Sequence, residues 1–164
     1  MRLHLVAFGK MRTPGLGDAC AYYLRNLQPW VSTEEHELKP IAVPDKSPAT
    51  RSQIQEKEAL ILNEKLGQLL SSRGIYFLLD EGGKALPTSD WAKAIQDWEQ
   101  AGIPEVAFCL GSSLGFSKSL RGKARGILSL GPQTLPHELA RVVLAEQLYR
   151  AWSVTRGHPY HVQG

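Results

Sequence analysis

Two short runs of the sequence are apolar at almost every position, and they limit the possible folds most strongly. They are IYFLLD, from Ile75 to Asp80, and EVAFCLG, from Glu105 to Gly111. A strand with one exposed face alternates apolar and polar residues, so an unbroken apolar run predicts a strand covered on both faces, which is typical of parallel sheets. We therefore predict an α/β fold with a mostly parallel sheet flanked by helices.

Further strand and helix patterns alternate with these two runs. LHLVAFG and GILSLG are predicted strands, and EHELKPIAV is a third, which Pro40 places at a sheet edge. Apolar residues at helical spacing, together with capping residues, predict four helices. These cover residues 16–27, 52–69 (starting at Ser52), 88–101 (capped by Thr88) and a final stretch from TLPH to about Trp152. The stretches 44–51 and 81–87 are predicted to be loops.

The composition describes one ordinary globular domain. A chain of 164 residues can bury its own core, so a single domain over 1–164 is expected. The net charge of +3 and the pI of about 8.9 are compatible with a polyanionic partner but do not require one. No signal peptide or membrane-spanning run is evident, which predicts a cytoplasmic protein that does not bind membranes. Cys20 and Cys109 are expected to be buried free thiols.

Three predicted strands end in turn-forming residues, at DEGG, GSS and GPQ. Ligands in parallel α/β sheets bind at the carboxyl ends of the strands, so a site is expected where these three loops converge. The usual nucleotide motifs are missing. In GSSLGFSKS two residues separate Gly115 from Lys118, which breaks a Walker A pattern, and FGKMRTPG lacks the glycines of a dinucleotide fingerprint.

The motif HPYH, from His158 to His161, stands close to the end of the chain, where sequences usually fray. The two histidines have H-x-x-H spacing, but no carboxylate or cysteine cluster is near them, so no metal is predicted. Tyr160 has two interpretations: its ring stacks on an RNA base, or it packs against the last helix.

The segments LLDEGGK, LGSSLGFS, LSLGPQTLPHELARVVLAEQLYRAWSV and HPYH resemble those of the RlmH family. This family comprises the bacterial large-subunit ribosomal RNA pseudouridine methyltransferases of the SPOUT superfamily, and the resemblance spans nearly the whole chain. It implies a C-terminal deep trefoil knot and a homodimer. It also implies S-adenosyl-L-methionine as cofactor and methylation of N3 of a pseudouridine in large-subunit rRNA of the assembled ribosome.

Carried over residue by residue, the resemblance assigns cofactor binding to three loops. The residues are Leu79, Gly111, Leu130, Gly131, Pro132, Gln133, Thr134 and Leu135. Glycine at two of these positions lets the backbone approach a ligand closely. The family usually has a second glycine where this chain has Ser112, which predicts a bulkier contact there. The family also commonly has a basic residue after His161, where this chain reads VQG.

The same resemblance, together with helical spacing, assigns catalysis to Glu146, Arg150, Tyr160 and His161. Methyl transfer from an activated donor needs positioning and help for the N3 proton to leave. Arg150 or His161 would favour the N3 anion, with Glu146 orienting Arg150 from one helical turn away. The other interpretation of Glu146 and Arg150 is an ordinary exposed ion pair.

Two alternative functions remain open from the sequence. One is a SPOUT methyltransferase that acts on tRNA, and the other is a non-catalytic ribosome- or RNA-binding protein that retains the fold. The run KSLRGKAR carries four cations directly after a predicted cofactor loop. It is either an RNA-contacting patch or an ordinary solvated surface.

Overall fold

The computed structural model describes residues 1–162 and contains a single five-stranded sheet in which every pairing is parallel. The strands are β1 (Arg2–Phe8), β2 (Ser32–Leu38), β3 (Ile75–Ala85), β4 (Glu105–Leu110) and β5 (Gly126–Ser129). Their order across the sheet is β2-β1-β4-β3-β5. The predicted α/β class with a parallel sheet is confirmed.

Five helices cover both faces of this sheet. They are α1 (Leu16–Leu27), α2 (Pro48–Leu69), α3 (Thr88–Gln100), α4 (Lys118–Lys123) and α5 (His137–Thr155). One core packs α1, α3 and α5 against the sheet, and a smaller core packs α2 and α4 against the opposite face. The apolar strands serve both cores because successive side chains point to opposite faces, as Phe77 and Leu78 do in β3.

The edge position of β2 is confirmed, although its limits differ from the prediction. The strand covers Ser32–Leu38, so Pro40 lies just beyond it rather than within it. Both cysteines are free and buried, as expected. Among residues 1–162, no helix combines the length and apolar character that crossing a membrane requires.

The prediction that α2 begins at Ser52 after a loop over 44–51 is wrong. The helix begins at Pro48, and the Ser47 hydroxyl caps it by accepting a hydrogen bond from the Thr50 amide at 3.2 Å. Proline is well tolerated in the first turn of a helix, where its missing N–H has no partner to lose. Pro48 therefore marks a helix start, whereas residues 44–47 are irregular as predicted.

The predicted loop over 81–87 is also largely wrong, because β3 continues to Ala85. After an irregularity that follows Leu79, Lys84 and Ala85 pair with Leu128 and Ser129 of β5. The glycines and charges of this stretch resemble a loop, but pairing with the edge strand β5 keeps it extended.

The helix ends and one short helix differ from the predictions as well. Pro87, not Thr88, occupies the cap position of α3, and α5 runs from His137 to Thr155, past the predicted end at Trp152. The basic run KSLRGK forms α4, a short helix capped by the Ser117 hydroxyl. No helix was predicted there because six residues are too few to show an apolar period.

Candidate functional site

A cleft lies at the carboxyl ends of β4 and β5 and beside the irregularity in β3, close to where the sequence predicts a ligand site. Its walls include five of the eight predicted cofactor residues: Leu79, Gly111, Leu130, Gln133 and Leu135. Leu110, Asp80, Glu81, His137 and Ala140 complete the lining. The cleft is narrow, with a volume of about 100 Å³. Two loops and residues 79–81 of β3 thus converge, and the first turn of α5 forms part of the same cleft.

The remaining three predicted cofactor residues belong to the loop between β5 and α5 but do not line this cleft. Pro132 and Thr134 are exposed, and Gly131 has φ +137, a backbone conformation that favours glycine. The Ser129 hydroxyl holds the turn by donating to the Gly131 carbonyl at 2.7 Å and accepting from its amide at 3.0 Å. A Cβ at Gly131 would meet open space, so close packing does not demand glycine there. Glycine is needed because the turn has a backbone conformation that other residues rarely adopt.

At Gly111 the space that a side chain would take is already filled by a core residue, and its predicted contact with a cofactor stays a prediction. A Cβ at this position would lie 3.0 Å from the ring of Phe116, which is 8% exposed. The ring fills the space behind Gly111 while the cleft lies in front of it. A side chain at residue 111 would therefore press on the core or narrow the cleft.

Ser112 does not add bulk to the cleft, contrary to the expectation from its place in the loop. Its hydroxyl donates to Oε1 of Glu58 on α2 at 2.6 Å, and the residue is not part of the cleft lining. Glu58 is 5% exposed and its Oε2 has no hydrogen-bond partner among the described residues. Burial raises the pKa of this carboxyl, while the Ser112 hydroxyl partly opposes the rise.

The sequence analysis missed the polar residues of the cleft. Asp80 accepts from Nη2 of Arg121 at 2.6 Å, and Glu81 accepts from the Thr134 hydroxyl at 2.5 Å. Both carboxylates directly follow the apolar run of β3, which is the signal that could have identified them. His137 belongs to the TLPH motif, but the sequence alone assigned it no role.

The four predicted catalytic residues form a second cluster, built by α5 and the tail that follows it. Oε1 of Glu146 accepts from Nε and Nη2 of Arg150, at 2.9 and 2.5 Å, and from the Tyr160 hydroxyl at 2.9 Å. Nη1 of Arg150 lies 3.1 Å from Nδ1 of His161. Because an arginine only donates, Nδ1 of His161 is the acceptor and carries no proton in this arrangement.

The tail folds back onto its own chain. The Tyr160 ring lies 4.3 Å from the Tyr149 ring and 4.8 Å from the Arg150 guanidinium, and His158 packs edge-on against Trp30. Burial and the Glu146 carboxylate raise the pKa of Tyr160, and the bond to Glu146 raises that of Arg150. Tyr160 thus packs on α5 of its own chain. Stacking of its ring on an RNA base stays a prediction. Residues 163 and 164, the last two of VQG, lie outside the described residues.

The cleft and this cluster are separated along α5. His137 and Ala140 line the cleft, and Glu146 lies nine and six positions later, which at the rise of an α-helix is about 13 and about 9 Å. The described chain therefore contains a ligand cleft and a hydrogen-bonded cluster around Arg150, both built in part by α5, but does not bring them together.

A larger groove of about 850 Å³ adjoins the cleft and shares His137 with it. Its rim includes three exposed cations, Lys10, Arg12 and Lys39. The basic run of α4 contributes less free charge than its sequence indicates, since Arg121 pairs with Asp80 while Lys118, Lys123 and Arg125 stay exposed.

Comparison with known proteins places this architecture in a family. Residues 1–161 match the family model described as predicted SPOUT methyltransferase. A Solidesulfovibrio magneticus protein named ribosomal RNA large subunit methyltransferase H is 40% identical over 163 residues, covering 97% of each chain. A protein of the same name from Streptococcus equi subsp. zooepidemicus is 36% identical over 162 residues, covering 98% of this chain and 99% of the relative.

Solved structures share the fold at low sequence identity. A probable methyltransferase from Bordetella pertussis Tohama I has a TM-score of 0.53 at 17% identity, covering 92% of this chain and 95% of its own. A probable methylase family protein from Haemophilus influenzae has a TM-score of 0.56 at 11% identity, covering 98% and 70%. The family model that matches residues 1–161 and the relatives matched over their full length show that the chain belongs to the SPOUT methyltransferase family.

Proposed function

We propose that the protein transfers a methyl group from S-adenosylmethionine to N3 of a pseudouridine in large-subunit rRNA, acting on the assembled ribosome in the cytoplasm. One observation carries the proposal: residues 79–81 of β3 and the loops after β4 and β5 converge on one cleft beside the first turn of α5. The full-length relatives named as large-subunit rRNA methyltransferases support the same substrate.

The chemistry of the cleft lining suits this cofactor, although its volume is small. Leucine side chains provide apolar walls, and the Asp80 and Glu81 carboxylates complement the positive charges of a sulfonium and an ammonium. Small-molecule sites usually enclose about 300–1,000 Å³, so binding requires the exposed loop over 131–135 to move outward. The bound cofactor supplies an activated methyl group, and the protein supplies its position.

Arg150 is the group we assign to stabilising the N3 anion. Its guanidinium is held on three sides, by Glu146, by His161 and by the Tyr160 ring, so its direction is fixed before substrate arrives. A fixed cation lowers the cost of releasing the weakly acidic N3 proton to water. His161 accepts from Arg150 through Nδ1, which leaves Nε2–H as a donor toward the substrate.

A two-fold dimer would bring the cleft and the cluster together. On one chain Glu146 lies about 9–13 Å along α5 from the residues of that helix that line the cleft. In a dimer the tail cluster of one protomer can face the cleft of its partner. We therefore propose a homodimer, in which Glu146, Arg150, Tyr160 and His161 complete the partner's site.

The path of the chain supports the proposed trefoil knot. β5 lies at one edge of the sheet, whereas Arg141 of α5 contacts Glu37 on β2, at the other edge, at 2.7 Å. The segment from Leu130 to Pro136 therefore carries the chain from the β5 edge back toward the other strands, and it lines the same cleft as residues of β3 and β4. Because knots are rare in proteins, a proposed knot needs a specific feature of the chain path to support it. The return of the chain from the β5 edge toward the β2 edge is that feature here.

Methyl transfer can be tested directly with tritiated S-adenosylmethionine and ribosomes from a strain lacking the gene. We expect incorporation into the large-subunit rRNA of assembled ribosomes, located at N3 of a pseudouridine by mass spectrometry. Incorporation into isolated tRNA alone would instead support the tRNA enzyme. Binding to ribosomes without incorporation, and without affinity for S-adenosylhomocysteine by calorimetry, would support the non-catalytic protein.

Light scattering tests the dimer separately. We expect a dimer at micromolar concentration. A monomer that still methylates ribosomes at the full rate would contradict the shared site, because the cluster and the cleft of one chain are too far apart to act on one base.

A further inference from the structure

A cluster of two histidines and a glutamate lies at the end of the sheet opposite the cofactor cleft. His4 is the third residue of β1, and Glu34 and His36 lie on the adjacent edge strand β2. His4 pairs in register with Glu34, and His36 with Val6. Because alternate residues of a strand share a face, these three side chains project toward the face covered by α2.

The three donor atoms are close to one another. Nδ1 of His4 lies 3.0 Å from Nε2 of His36. Oε2 of Glu34 lies 3.9 Å from the former and 3.6 Å from the latter. The ligand atoms of these three side chains all lie within 4.8 Å of one another. Within residues 1–162 they are the group of three histidine, cysteine or carboxylate residues that meets this limit.

We propose that His4, Glu34 and His36 bind a divalent cation of the zinc type. Two imidazole nitrogens and one carboxylate oxygen form a ligand set that Zn²⁺ binds with an open fourth position. At Zn–N distances of about 2.0–2.1 Å, tetrahedral coordination separates two ligand nitrogens by about 3.3 Å. The present separation of 3.0 Å needs to widen only slightly, and Glu34 needs to move inward by a similar amount.

The hydrogen bond between the histidines already directs the two nitrogens at one point. Two neutral imidazoles facing each other in this way share a single proton, held by one nitrogen and accepted by the other. A cation at that point replaces the shared proton. The ring that held it moves its proton to its other nitrogen, so two neutral histidines bind the cation without releasing a proton.

Burial and the charges around the cluster both act on the two rings. Burial lowers the pKa of His4 and His36, and the Lys65 ammonium on α2 lowers both further. The charges near the cluster are mixed, since Arg2 and Lys65 are opposed by Glu34 and Glu105. Lys65 therefore favours neutral rings but repels a cation, which makes it a specific determinant of affinity.

One side of the cluster is open to solvent. The Glu34 side chain is about half exposed, with a relative accessibility of 49%, whereas His4 is almost completely buried. A cation can enter past Glu34 and keep a water ligand on that side. The bound ion would join β1 to the edge strand β2, so its effect is on stability and it is independent of the proposed methyl transfer.

Titration of the metal-free protein with Zn²⁺ against a chromophoric chelator tests the site. We expect one ion per chain, an affinity at least about tenfold weaker in Glu34→Gln and in His36→Gln, and a higher thermal midpoint in the presence of the ion. Lys65→Ala should bind more tightly. Cobalt(II) should give the intense ligand-field absorption of a four-coordinate site, and this absorption should vanish in His36→Gln.

The matched control is His158→Gln, which removes a histidine of the tail motif and leaves the cluster intact. It should bind Zn²⁺ as the unchanged protein does. The proposal is overturned if Glu34→Gln and His36→Gln bind Zn²⁺ as tightly as the unchanged protein. It is also overturned if His158→Gln weakens Zn²⁺ binding as much as those two variants do. The exposed position of Glu34 ensures that its variant folds.

Discussion

The Tyr160 hydroxyl donates to Oε1 of Glu146 at 2.9 Å, the oxygen that also receives two hydrogen bonds from Arg150. Residues 146 and 150 are neighbours by helical spacing, but Tyr160 joins them only because the tail turns back at Gly157. The tail that follows α5 is thus tied to the helix at Tyr160 by a charged hydrogen bond.

Replacing Tyr160 with phenylalanine tests that bond. The ring keeps its contacts with Tyr149 and Arg150, but Glu146 loses one donor. Hydrogen bonds to charged groups contribute about 1.5–3 kcal/mol, and partial exposure reduces this, so we expect a loss of about 1 kcal/mol in unfolding free energy. Urea denaturation measures it. Tyr22→Phe on α1, at an exposed tyrosine, is the control and should change stability little; an equal loss in both variants would contradict the assignment.

Arg150→Lys tests the proposed role of the guanidinium. Lysine keeps the charge but cannot bond Glu146 and His161 at the same time, because it lacks the planar fork of arginine. We expect methyl transfer to fall at least about tenfold, equivalent to ~1.4 kcal/mol, while S-adenosylhomocysteine binding changes less than that. Lys93→Ala is the control, since it removes an exposed ion pair of the same spacing, with Asp97 on α3. It should leave both methyl transfer and S-adenosylhomocysteine binding unchanged. Full transfer by Arg150→Lys would exclude a role for the fork.

Deleting residues 158–164 removes the tail as a whole. We expect cofactor binding to stay within about tenfold, a change of ~1.4 kcal/mol, while transfer to ribosomes is nearly abolished. Tritium incorporation and calorimetry on the same truncated protein check both parts. If transfer is retained, Tyr160 and His161 are not catalytic; if cofactor binding collapses, the tail belongs to the cleft or the dimer instead.

Glu58→Gln should stabilise the protein at neutral pH. Burial raises the folded-state pKa of Glu58 above its ordinary value of 4.5, so the folded state holds its proton more strongly than the unfolded state does. Stability due to this group is complete below pH 4.5 and is lost as pH rises through the folded-state pKa. The glutamine variant lacks this loss, so its advantage in urea denaturation should appear above pH 4.5 and vanish in acid. An advantage that is the same at all pH values would contradict this origin.

Gly111→Ala should weaken cofactor binding and destabilise the fold. The new Cβ meets Phe116 at 3.0 Å, and overpacking of this kind costs about 1–3 kcal/mol. Adding Phe116→Leu should restore stability without restoring affinity for S-adenosylhomocysteine. Gly122→Ala on α4, where a Cβ meets open space, is the matched control and should leave affinity unchanged. Restored affinity in the double variant would place the effect in the core rather than in the cleft.

Local patterns in the sequence determined the sheet and the place of the cleft. The apolar runs around Phe77 and Phe108 could only be strands covered on both faces, and turn residues after them marked the edge where ligands bind. The four-residue spacing of Glu146 and Arg150 likewise predicted their contact. Each of these inferences uses residues within one strand or one helical turn, where the chain itself limits the geometry.

Tertiary structure alone decided which distant residues meet. Arg141 is 1% exposed and binds Glu37 across the sheet, Ser112 turns away from the cleft to Glu58, and His4 meets His36 on the edge strand. Pairing with β5 also kept the EGGKA stretch extended where its composition indicates a loop. In each case the partners are far apart in sequence, so their contact depends on strand order and helix packing, which no short pattern of residues contains.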